Sequence, residues 1–342
     1  MSATIKYNGN TIVSITTDDS KTLKTRGKYC EGDIVVENVQ DGGATEPYIE
    51  ETYDSNGNLT AAVMYGQPNV RQYAFGWCNS LTSVTLPDSA TSIGDFAFNR
   101  CSSLTSVTIP DSVKSIGGCA FDNCSKLTSV TIPDSVTSIG EGVFNGCSSL
   151  TTMTIPDSVT TIGDRAFYGC TGLTSITIGN SVTDIGICVF YNCSSLASVT
   201  IGNSVTIIHS SAFHDCTSLT SVTIPDSVTS IGDHAFYHCT ELTNITIGNS
   251  VTKIWECAFQ SCISLASVTI PNSVTIIEKD AFDYCSRLTS VTFNGTPSSI
   301  ASSAFDSCPN LTTINVPWAE GAVANAPWGA TNATINYNHT VV

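Results

Sequence analysis

The cysteines are the first residues to consider for chemistry, because a thiolate can bind a metal, form a disulfide or act as a nucleophile. The chain has 15 of them, and eleven recur at 23-residue intervals from Cys78 to Cys308, each three residues after a phenylalanine. A cysteine zinc site needs a close pair such as C-x-x-C, which the sequence lacks. The fixed place beside phenylalanine predicts buried free thiols that pack as small apolar side chains.

Four cysteines fall outside this series. Cys119, Cys188 and Cys257 each precede a cysteine of the series by five residues, a spacing that no standard metal site uses. Cys30 lies alone near the N-terminus. We therefore expect Cys30 to be the most reactive thiol, although no neighbouring residue marks it as catalytic.

Histidines are the second candidates for metal or acid–base chemistry. Four of the five lie close together in the sequence, at His209, His214, His234 and His238. If successive repeats stack, the last three come near one another, which would allow a metal site. They also occupy variable positions of the repeat, which is typical of an exposed turn, and we favour that interpretation. The sequence therefore predicts no metal and no cofactor.

The sequence also gives no indication of catalysis. No Ser-His-Asp order, paired-carboxylate motif or glycine-rich phosphate loop stands out. The many Ile-Gly and Asp-Ser pairs are turn residues repeated by the period. We predict that the chain is not an enzyme.

A strict 23-residue repeat must position these side chains. Phenylalanine recurs at eleven positions from Phe75 to Phe305, and full repeats run from Leu81 to the one that begins at Leu288. The pattern L-T-S-V-T-I-P-D-S-V-T-S-I-G-D-x-A-F-x-x-C-S-S begins with alternating apolar and polar residues, which indicates a strand ended by proline or glycine. A second short extended stretch follows. Asp95–Cys101 then has the apolar spacing of a short helical or 3-10 turn.

One repeat cannot bury its own apolar side chains, but stacked repeats can. We therefore predict a mainly β repeat solenoid, in which parallel strands of successive coils lie about 4.8 Å apart. The unit L-x-x-V-x-I-P-x-S-V-x-x-I-G-x-x-A-F-x-x-C resembles the BspA-type leucine-rich repeat over roughly residues 58–318. This resemblance implies a leucine-rich-repeat-type coil and a non-catalytic role in adhesion or partner binding. It also implies a place among surface or secreted proteins of bacteria and some protists.

The N-terminal segment does not follow the repeat. Residues 1–45 predict a small β module, in which Asn8-Gly9 turns a β-hairpin and Asp33–Val39 forms a third strand. Residues 46–57 predict a linker. About eleven 23-residue repeats then occupy residues 58–318.

The C-terminal segment, residues 319–342, predicts a cap. The open edge of a terminal coil would otherwise pair with another molecule. Trp318 and Trp328 suit the role of a lid over the last coil, and ligand binding by either one is the alternative.

Composition argues against some classes of partner. The formal net charge is −16, and an acidic surface repels phosphate backbones, so we expect no nucleic acid partner. No apolar run approaches the roughly 18 residues of a membrane helix, so we expect no membrane span. The start, MSATIKYNGNTIVSI, does not read as a secretory signal peptide. We expect an extracellular or particle-surface location, with no signal peptide in this sequence.

Two surfaces of such a solenoid could bind a partner. The outward strand residues are almost always Ser and Thr, and this hydroxyl sheet suits a regular polymer or a crystalline surface. The variable positions gather around the turn, and this turn edge suits a protein or glycan partner. Its candidate residues are Tyr168, Tyr191, Tyr237, Trp255, His214, His234 and His238. A third interpretation is that neither surface binds anything, since threonine is an ordinary solvent-facing strand residue.

We predict a non-catalytic adhesion or partner-binding protein that presents an extended solenoid surface. The alternative is a structural component of a phage or virion-like particle, with residues 1–45 as its docking module. That segment resembles short N-terminal modules of phage-encoded structural proteins. The ligand and the oligomeric state are not indicated by the sequence.

Overall fold

The computed structural model describes residues 3–8, 11–17, 24–26, 33–35, 48–54, 56–66 and 68–340. They belong to two compact units, Met1–Met153 and Thr154–Val342. Within each unit, a repeat contributes one strand of three or four residues and one strand of two residues. Most strands pair in parallel with their equivalents 23 residues further along the chain. The prediction of a parallel-strand β solenoid is therefore confirmed.

The first unit combines antiparallel N-terminal strands with the first coils. Its strands are β1 (Ala3–Asn8), β2 (Thr11–Thr17), β3 (Lys24–Arg26), β4 (Asp33–Val35), β5 (Tyr48–Tyr53), β6 (Leu59–Tyr65), β7 (Asn69–Val70), β8 (Ser83–Thr85), β9 (Ser92–Ile93), β10 (Ser106–Thr108), β11 (Ser115–Ile116), β12 (Ser129–Thr131) and β13 (Ser138–Ile139), and β14 (Thr152–Ile155) begins there. One sheet has the order β2-β1-β5-β6-β8, and β3 pairs with β4. The two-residue strands pair in the order β7-β9-β11-β13, and β10 pairs with β12.

The N-terminal strands require one correction to the sequence prediction. Strands β1 and β2 form an antiparallel pair at the predicted hairpin. The segment 46–57, predicted as a linker, instead contains β5, which pairs with both β1 and β6. Two adjacent glutamates conceal the strand in the sequence. Glu51 can be buried because the Tyr53 hydroxyl donates a hydrogen bond to its carboxylate at 2.7 Å.

The second unit is built from coils with the same two kinds of strand. Its strands are β15 (Thr161–Ile162), β16 (Ser175–Ile178), β17 (Asp184–Ile185), β18 (Ser198–Thr200), β19 (Ile207–Ile208), β20 (Ser221–Thr223), β21 (Ser230–Ile231), β22 (Asn244–Thr246), β23 (Lys253–Ile254), β24 (Ser267–Ile270), β25 (Ile276–Ile277), β26 (Ser290–Phe293), β27 (Ser299–Ile300), β28 (Thr313–Asn315) and β29 (Thr334–Asn336). The two-residue strands pair in order from β15 to β27. The longer strands form the series β16-β18-β20-β22 and β24-β26-β28-β29.

The core of each unit is a set of identical side chains stacked at the repeat interval. Phenylalanine rings stack with centroids 5.1–5.6 Å apart, from Phe75 to Phe144 in the first unit and from Phe167 to Phe305 in the second. Leu and Ile columns such as Leu104 and Ile116 are equally buried. Burying a side chain of this size stabilises the fold by about 1.5–3 kcal/mol. The stack therefore supplies the burial that a single coil lacks.

The segment after the second strand is a run of tight turns, and this corrects the predicted helical or 3-10 turn. Main-chain hydrogen bonds close turns from Ala97 to Gly94 and from Asn99 to Phe96. The intervening amides point to the next coil instead, and Phe98 N–H donates to the carbonyl of Ala120 at 2.7 Å. Within residues 68–340 no segment is helical. The predicted inward positions are correct. In a helix, however, these N–H groups would bond within their own segment, and the carbonyl groups of the next coil would have no donor.

Two positions in most turn segments have a left-handed backbone. They recur every 23 residues, as Phe96 and Arg100 in one coil and Gly142 and Gly146 in a later one. Residues with a Cβ pay roughly 1 kcal/mol or more for this conformation, whereas glycine does not. The variable positions noticed in the sequence include these two, because they face outward and the neighbouring coil fixes only their backbone.

Two tryptophan side chains are buried at the last coil. The side chain of Trp328 is fully buried, and that of Trp318 nearly so. Their rings lie 6.3 Å apart at a steep angle, and Trp318 also packs edge-on against Phe293 at 5.2 Å. Strand β29 pairs with β28 and extends the sheet by one strand. The burial of both rings supports the lid role and leaves no indole face open for the alternative, ligand binding.

The close approach of neighbouring coils predicts a strict requirement for glycine at position 202. A Cβ at Gly202 would lie only 2.2 Å from the carbonyl oxygen of Gly179. We expect Gly202→Ala to lower the free energy of unfolding by roughly 1–3 kcal/mol, because the main chains must separate. Chemical denaturation measures the change. Gly118→Ala is the matched control, since its Cβ would meet nothing closer than 3.5 Å, and equal effects of the two changes would contradict the prediction.

Candidate functional site

The turn edge of the second unit carries a continuous stack of four flat side chains. Tyr168 stacks on Tyr191 at 4.9 Å between ring centroids, Tyr191 on His214 at 4.3 Å, and His214 on Tyr237 at 4.5 Å. All four are half-buried. We call these four residues the aromatic column. Six of the seven predicted site residues lie in this column or in contact with it.

The aromatic column replaces a polar series at the same position of the repeat. Other coils hold amides and carboxylates there, which pair along the stack. In the first unit, Asn99 and Asn145 both donate to the carboxylate of Asp122, at 2.5 and 2.8 Å. In the second, Gln260 donates to Asp283 at 2.7 Å. The repeat thus tolerates polar or aromatic residues at this position, and four consecutive coils use rings.

Two histidines converge on one carboxylate beside the column. The Nδ1 atom of His238 lies 2.6 Å from Asp215 Oδ1, and that of His214 lies 3.0 Å from Oδ2. The second contact is not in hydrogen-bonding geometry, and His214 Nδ1 is buried without a hydrogen bond. The ring of His234 lies 5.5 Å from that of Tyr237. The structure therefore brings together the three histidines that stacking was expected to bring together.

Burial dominates the electrostatics of His214. Removal from water between two tyrosine rings lowers its pKa from the ordinary value of 6.5, and the neighbouring Asp215 opposes that shift. The neutral imidazole is consequently favoured in the folded chain. A neutral ring suits stacking on Tyr191 and Tyr237.

A different trio among the described residues, which the sequence did not indicate, also brings metal-ligating atoms together. Ligand atoms of Glu256, Cys257 and Asp280 all lie within 4.8 Å of one another. Lys279 already pairs with Glu256 at 2.9 Å, and burial raises the pKa of the Cys257 thiol to about 11. A metal here would have to displace the ammonium group and remove the thiol proton. The arrangement therefore works as an ion pair beside a protonated thiol.

Trp255 is the predicted site residue that lies apart from the aromatic column. It follows β23, at the repeat position that is usually glycine, and Lys253 Nζ sits 3.4 Å from the centroid of its ring. Its indole N–H donates to the Ser230 hydroxyl at 2.8 Å. The indole is 39% exposed. It is therefore a separate exposed feature of the same unit.

The hydroxyl sheet of the second unit lines a groove of about 710 Å³. Its floor is made by β18, β20 and β22, and its polar wall includes Asn203, Asp226 and Asn249. Threonines that precede these strands use their hydroxyls structurally, as when Thr243 donates to the carbonyl of Thr220 at 3.1 Å. The groove thus offers many weak hydrogen-bonding groups and no aromatic ring.

The cysteine series is structural, with one correction. Within residues 68–340, the thiols from Cys101 to Cys147 and from Cys193 to Cys308 each donate to the carbonyl of a phenylalanine 26 residues earlier, at 3.0–3.3 Å. Burial raises the pKa of Cys124 and of Cys262 to about 12, so these thiols stay protonated. Cys78, predicted to be free, is disulfide-bonded. It belongs to the first coil, and the residue 26 positions earlier, Thr52, lies in β5 rather than in a repeat. The prediction for Cys30 lies outside the described residues.

Sequence analysis missed a second aromatic group, in the first unit. Tyr73 stacks on Phe96 at 4.9 Å, and the guanidinium of Arg100 lies 4.1 Å from the ring centroid of Trp77. All four residues occupy left-handed positions. The sequence could have indicated this group. Aligning the degenerate first coil with the next one pairs Tyr73 with Phe96 and Trp77 with Arg100.

The burial of the cysteine series predicts which thiols are reactive. We expect Cys119 and Cys188, which are half-buried, to react before the series does, because the reagent reaches them without unfolding. A time course with a thiol reagent on the native chain measures this. Replacing both by glycine, which their left-handed backbone accepts, should remove that early phase. Many fast-reacting thiols in the double variant would contradict the burial of the series.

The lowered pKa of His214 predicts a loss of stability in acid. Because its folded pKa lies below the unfolded value, its contribution is complete above about pH 6.5 and is lost as the pH falls through the folded pKa. We expect His214→Tyr, which keeps the stack but does not titrate there, to reduce the drop in unfolding midpoint between about pH 7.5 and about pH 5. His209→Gln, outside the column, is the control. An unchanged drop in His214→Tyr would refute the assignment.

Comparisons with known proteins agree with this fold. The family model of the BspA type leucine rich repeat region matches six copies, over residues 68–197, 147–265 and 206–322. A leucine-rich repeat protein from Bacteroides ovatus is 24% identical, with a TM-score of 0.58, and the match covers 95% of this chain and 94% of that one. No curated protein matches the chain.

Two further solved structures are similar. A leucine rich cell surface protein from Faecalibacterium prausnitzii is 31% identical, with a TM-score of 0.41 and coverage of 86% of this chain and 97% of that one. The pneumococcal vaccine antigen PcpA is 17% identical, with a TM-score of 0.50 and coverage of 84% and 82%. The repeat pattern, the parallel coils and the family match over most of the sequence agree. The chain belongs to the BspA-type leucine-rich repeat family.

Proposed function

We propose that the chain is a non-catalytic, partner-binding repeat protein that contacts another protein through the turn edge of its second unit. The aromatic column is the observation that carries this proposal. Tyrosine is enriched at the energetic centres of protein interfaces, because it buries a large rigid ring and keeps a polar hydroxyl. The column presents three tyrosines and one histidine in a row, in coils where the repeat also accepts amides.

The charges around the column suggest the chemistry of the partner. Asp215 and Asp233 lie at this edge, and the chain as a whole carries a formal charge of −16. Exposed apolar side chains of the same unit include Ile187 and Tyr284. A basic protein surface with apolar anchors would match this combination, since complementary charge speeds encounter while aromatic contacts supply affinity.

An extracellular or particle-surface location is part of the proposal. The disulfide at Cys78 fits an oxidising compartment, where such bonds persist. Among the described residues, no helix has the length and hydropathy needed to cross a bilayer. The alternative, a structural part of a phage or virion-like particle, depends on residues 1–45, most of which lie outside the described ranges.

The groove over the hydroxyl sheet is the second candidate surface. Its volume of about 710 Å³ is within the range of ligand sites, and it is concave. Its lining of Ser, Thr and Asn side chains would suit a hydrated polymer that binds by many hydrogen bonds. The absence of an aromatic anchor from its lining makes it the weaker candidate for a protein partner.

Replacing the tyrosines of the aromatic column should weaken partner binding and leave the chain folded. We expect the triple change of Tyr168, Tyr191 and Tyr237 to Asn to weaken binding at least about tenfold, because aromatic anchors contribute most of the affinity of an interface. Asparagine is the residue that Asn99 and Asn145 show the repeat accepts at this position. Biolayer interferometry against a panel of purified secreted and surface proteins measures binding, and the unfolding midpoint reports folding.

Trp255→Ala is the control, because it removes an exposed ring of the same unit outside the column. Binding that survives the triple change but falls with Trp255→Ala would move the site away from the column. Binding that survives both, but is lost when Thr223 in the groove becomes Trp, would favour the hydroxyl sheet.

A further inference from the structure

Trp77 in the first unit is an exposed ring with an adjacent small cavity. Its indole is 55% exposed, among the most exposed of the large hydrophobic side chains. The guanidinium of Arg100, from the next coil, lies 4.1 Å from its ring centroid. A cavity of about 80 Å³ is lined by Trp77 and by the turn around Asn58, together with Asn79 and Ser80. Arg100 belongs to the coil that follows Trp77, whereas the turn around Asn58 joins β5 and β6 before it.

Hydrogen bonds hold the main chain in place on both sides of this cavity. Asp54 Oδ1 accepts hydrogen bonds from the main-chain N–H groups of Asn56 and Asn58 at 2.8 and 2.9 Å. The side chain of Asn58 also donates to Asp54. This bond has the largest effect in lowering the pKa of Asp54, and the main-chain bonds add to it. On the other side, the main-chain N–H of Trp77 donates to the carbonyl of Asn99 at 2.7 Å. The main-chain carbonyl of Trp77 accepts a hydrogen bond from the main-chain N–H of Asn79. A rigid site avoids the ordering cost that would weaken binding.

The polar groups of the cavity have hydrogen-bonding capacity to spare. Asn58 uses its amide N–H groups on Asp54, which leaves its amide oxygen as an acceptor. The side chain of Asn79 is exposed and offers both donors and an acceptor, and Ser80 offers a hydroxyl. None of these groups is ionised. The cavity therefore suits a neutral ligand that both donates and accepts hydrogen bonds.

The backbone at Trp77 is left-handed, as it is at the equivalent position of most coils. Trp77, Tyr73, Phe96 and Arg100 all have φ between 55° and 66°, where a large side chain costs roughly 1 kcal/mol or more relative to glycine. Later coils of the same chain place glycine at these positions, as at Gly146. Packing does not account for the tryptophan, since over half of its surface faces solvent.

We propose that Trp77 is the floor of a carbohydrate-binding subsite for a neutral hexose or N-acetylhexosamine residue of a glycan. The C–H face of the sugar ring packs on the open indole face. Its hydroxyl or acetamido groups enter the cavity and bind Asn58, Asn79 and Ser80. A cavity of about 80 Å³ takes one substituent of one sugar, so affinity for a monosaccharide is low, on the order of 1 mM. The subsite is independent of the protein-binding surface proposed above.

Saturation-transfer NMR with four sugars tests this site. The probes are the methyl glycosides of glucose, galactose, mannose and N-acetylglucosamine, each at millimolar concentration with the intact chain. We expect saturation transfer to at least one of them, strongest at the ring protons of one face. We expect Trp77→Gly to reduce it at least about fivefold, since the stacking surface is gone.

Trp77→Gly also separates binding from folding. Glycine suits the left-handed backbone, so the variant should unfold at the same denaturant concentration as the parent chain or a higher one. Trp255→Ala, which removes another exposed indole, should leave the sugar signal intact. If Trp77→Gly proves less stable than the parent chain, Asn79→Ala tests the subsite instead. The Asn79 side chain is exposed, so its loss should leave folding unchanged and weaken the saturation-transfer signal by a similar factor.

Two results would overturn the subsite: no transfer to any of the four sugars, or equal transfer in the parent chain and in Trp77→Gly. The triple asparagine variant of the aromatic column should bind the sugar normally. The outcome for the carbohydrate subsite is thus read separately from the outcome for the protein-binding surface.

Discussion

Main-chain hydrogen bonding between successive coils is the interaction on which the rest of this structure depends. It operates in both kinds of strand and again in the turns, where every second amide donates to the following coil rather than within its own. For these bonds to form, each coil must have the same length and nearly the same backbone. Every side-chain type is then carried into register with its copy 23 residues away, and the stacked phenylalanines and thiols are the direct result.

Much of this could be predicted from the sequence, because strict periodicity reports identical environments. The inward residues, the parallel strands and the packing role of the cysteines all follow from it. The turn conformation could not be predicted, since the spacing of Ala97, Phe98 and Cys101 fits a helix and a run of turns equally well. Only the needs of the adjacent coil decide between them. Strand β5 was concealed because the burial of Glu51 depends on a hydrogen bond to Tyr53 that no pattern shows.

In the candidate sites, too, some features could be predicted from the sequence and others could not. The aromatic and imidazole residues of the second unit could be named from their variability, but their order in one stack required the coil register. The separation of Trp255 from that stack, and the convergence of two imidazoles on Asp215, required side-chain geometry. The group around Trp77 was missed because the first coil departs from the repeat pattern. Its importance appears only when the left-handed backbone and the exposure of the ring are known together.

The equal length of the coils also constrains how such a chain can change. Removing or adding a single residue would shift every later side chain out of its column, whereas gaining or losing a whole coil leaves all columns intact. Cys119, Cys188 and Cys257, spaced by three coils, are consistent with growth in such blocks. A row of binding groups on the turn edge can therefore be lengthened or shortened in steps of about 4.8 Å. Copy number, rather than substitution alone, sets how far the contact surface reaches.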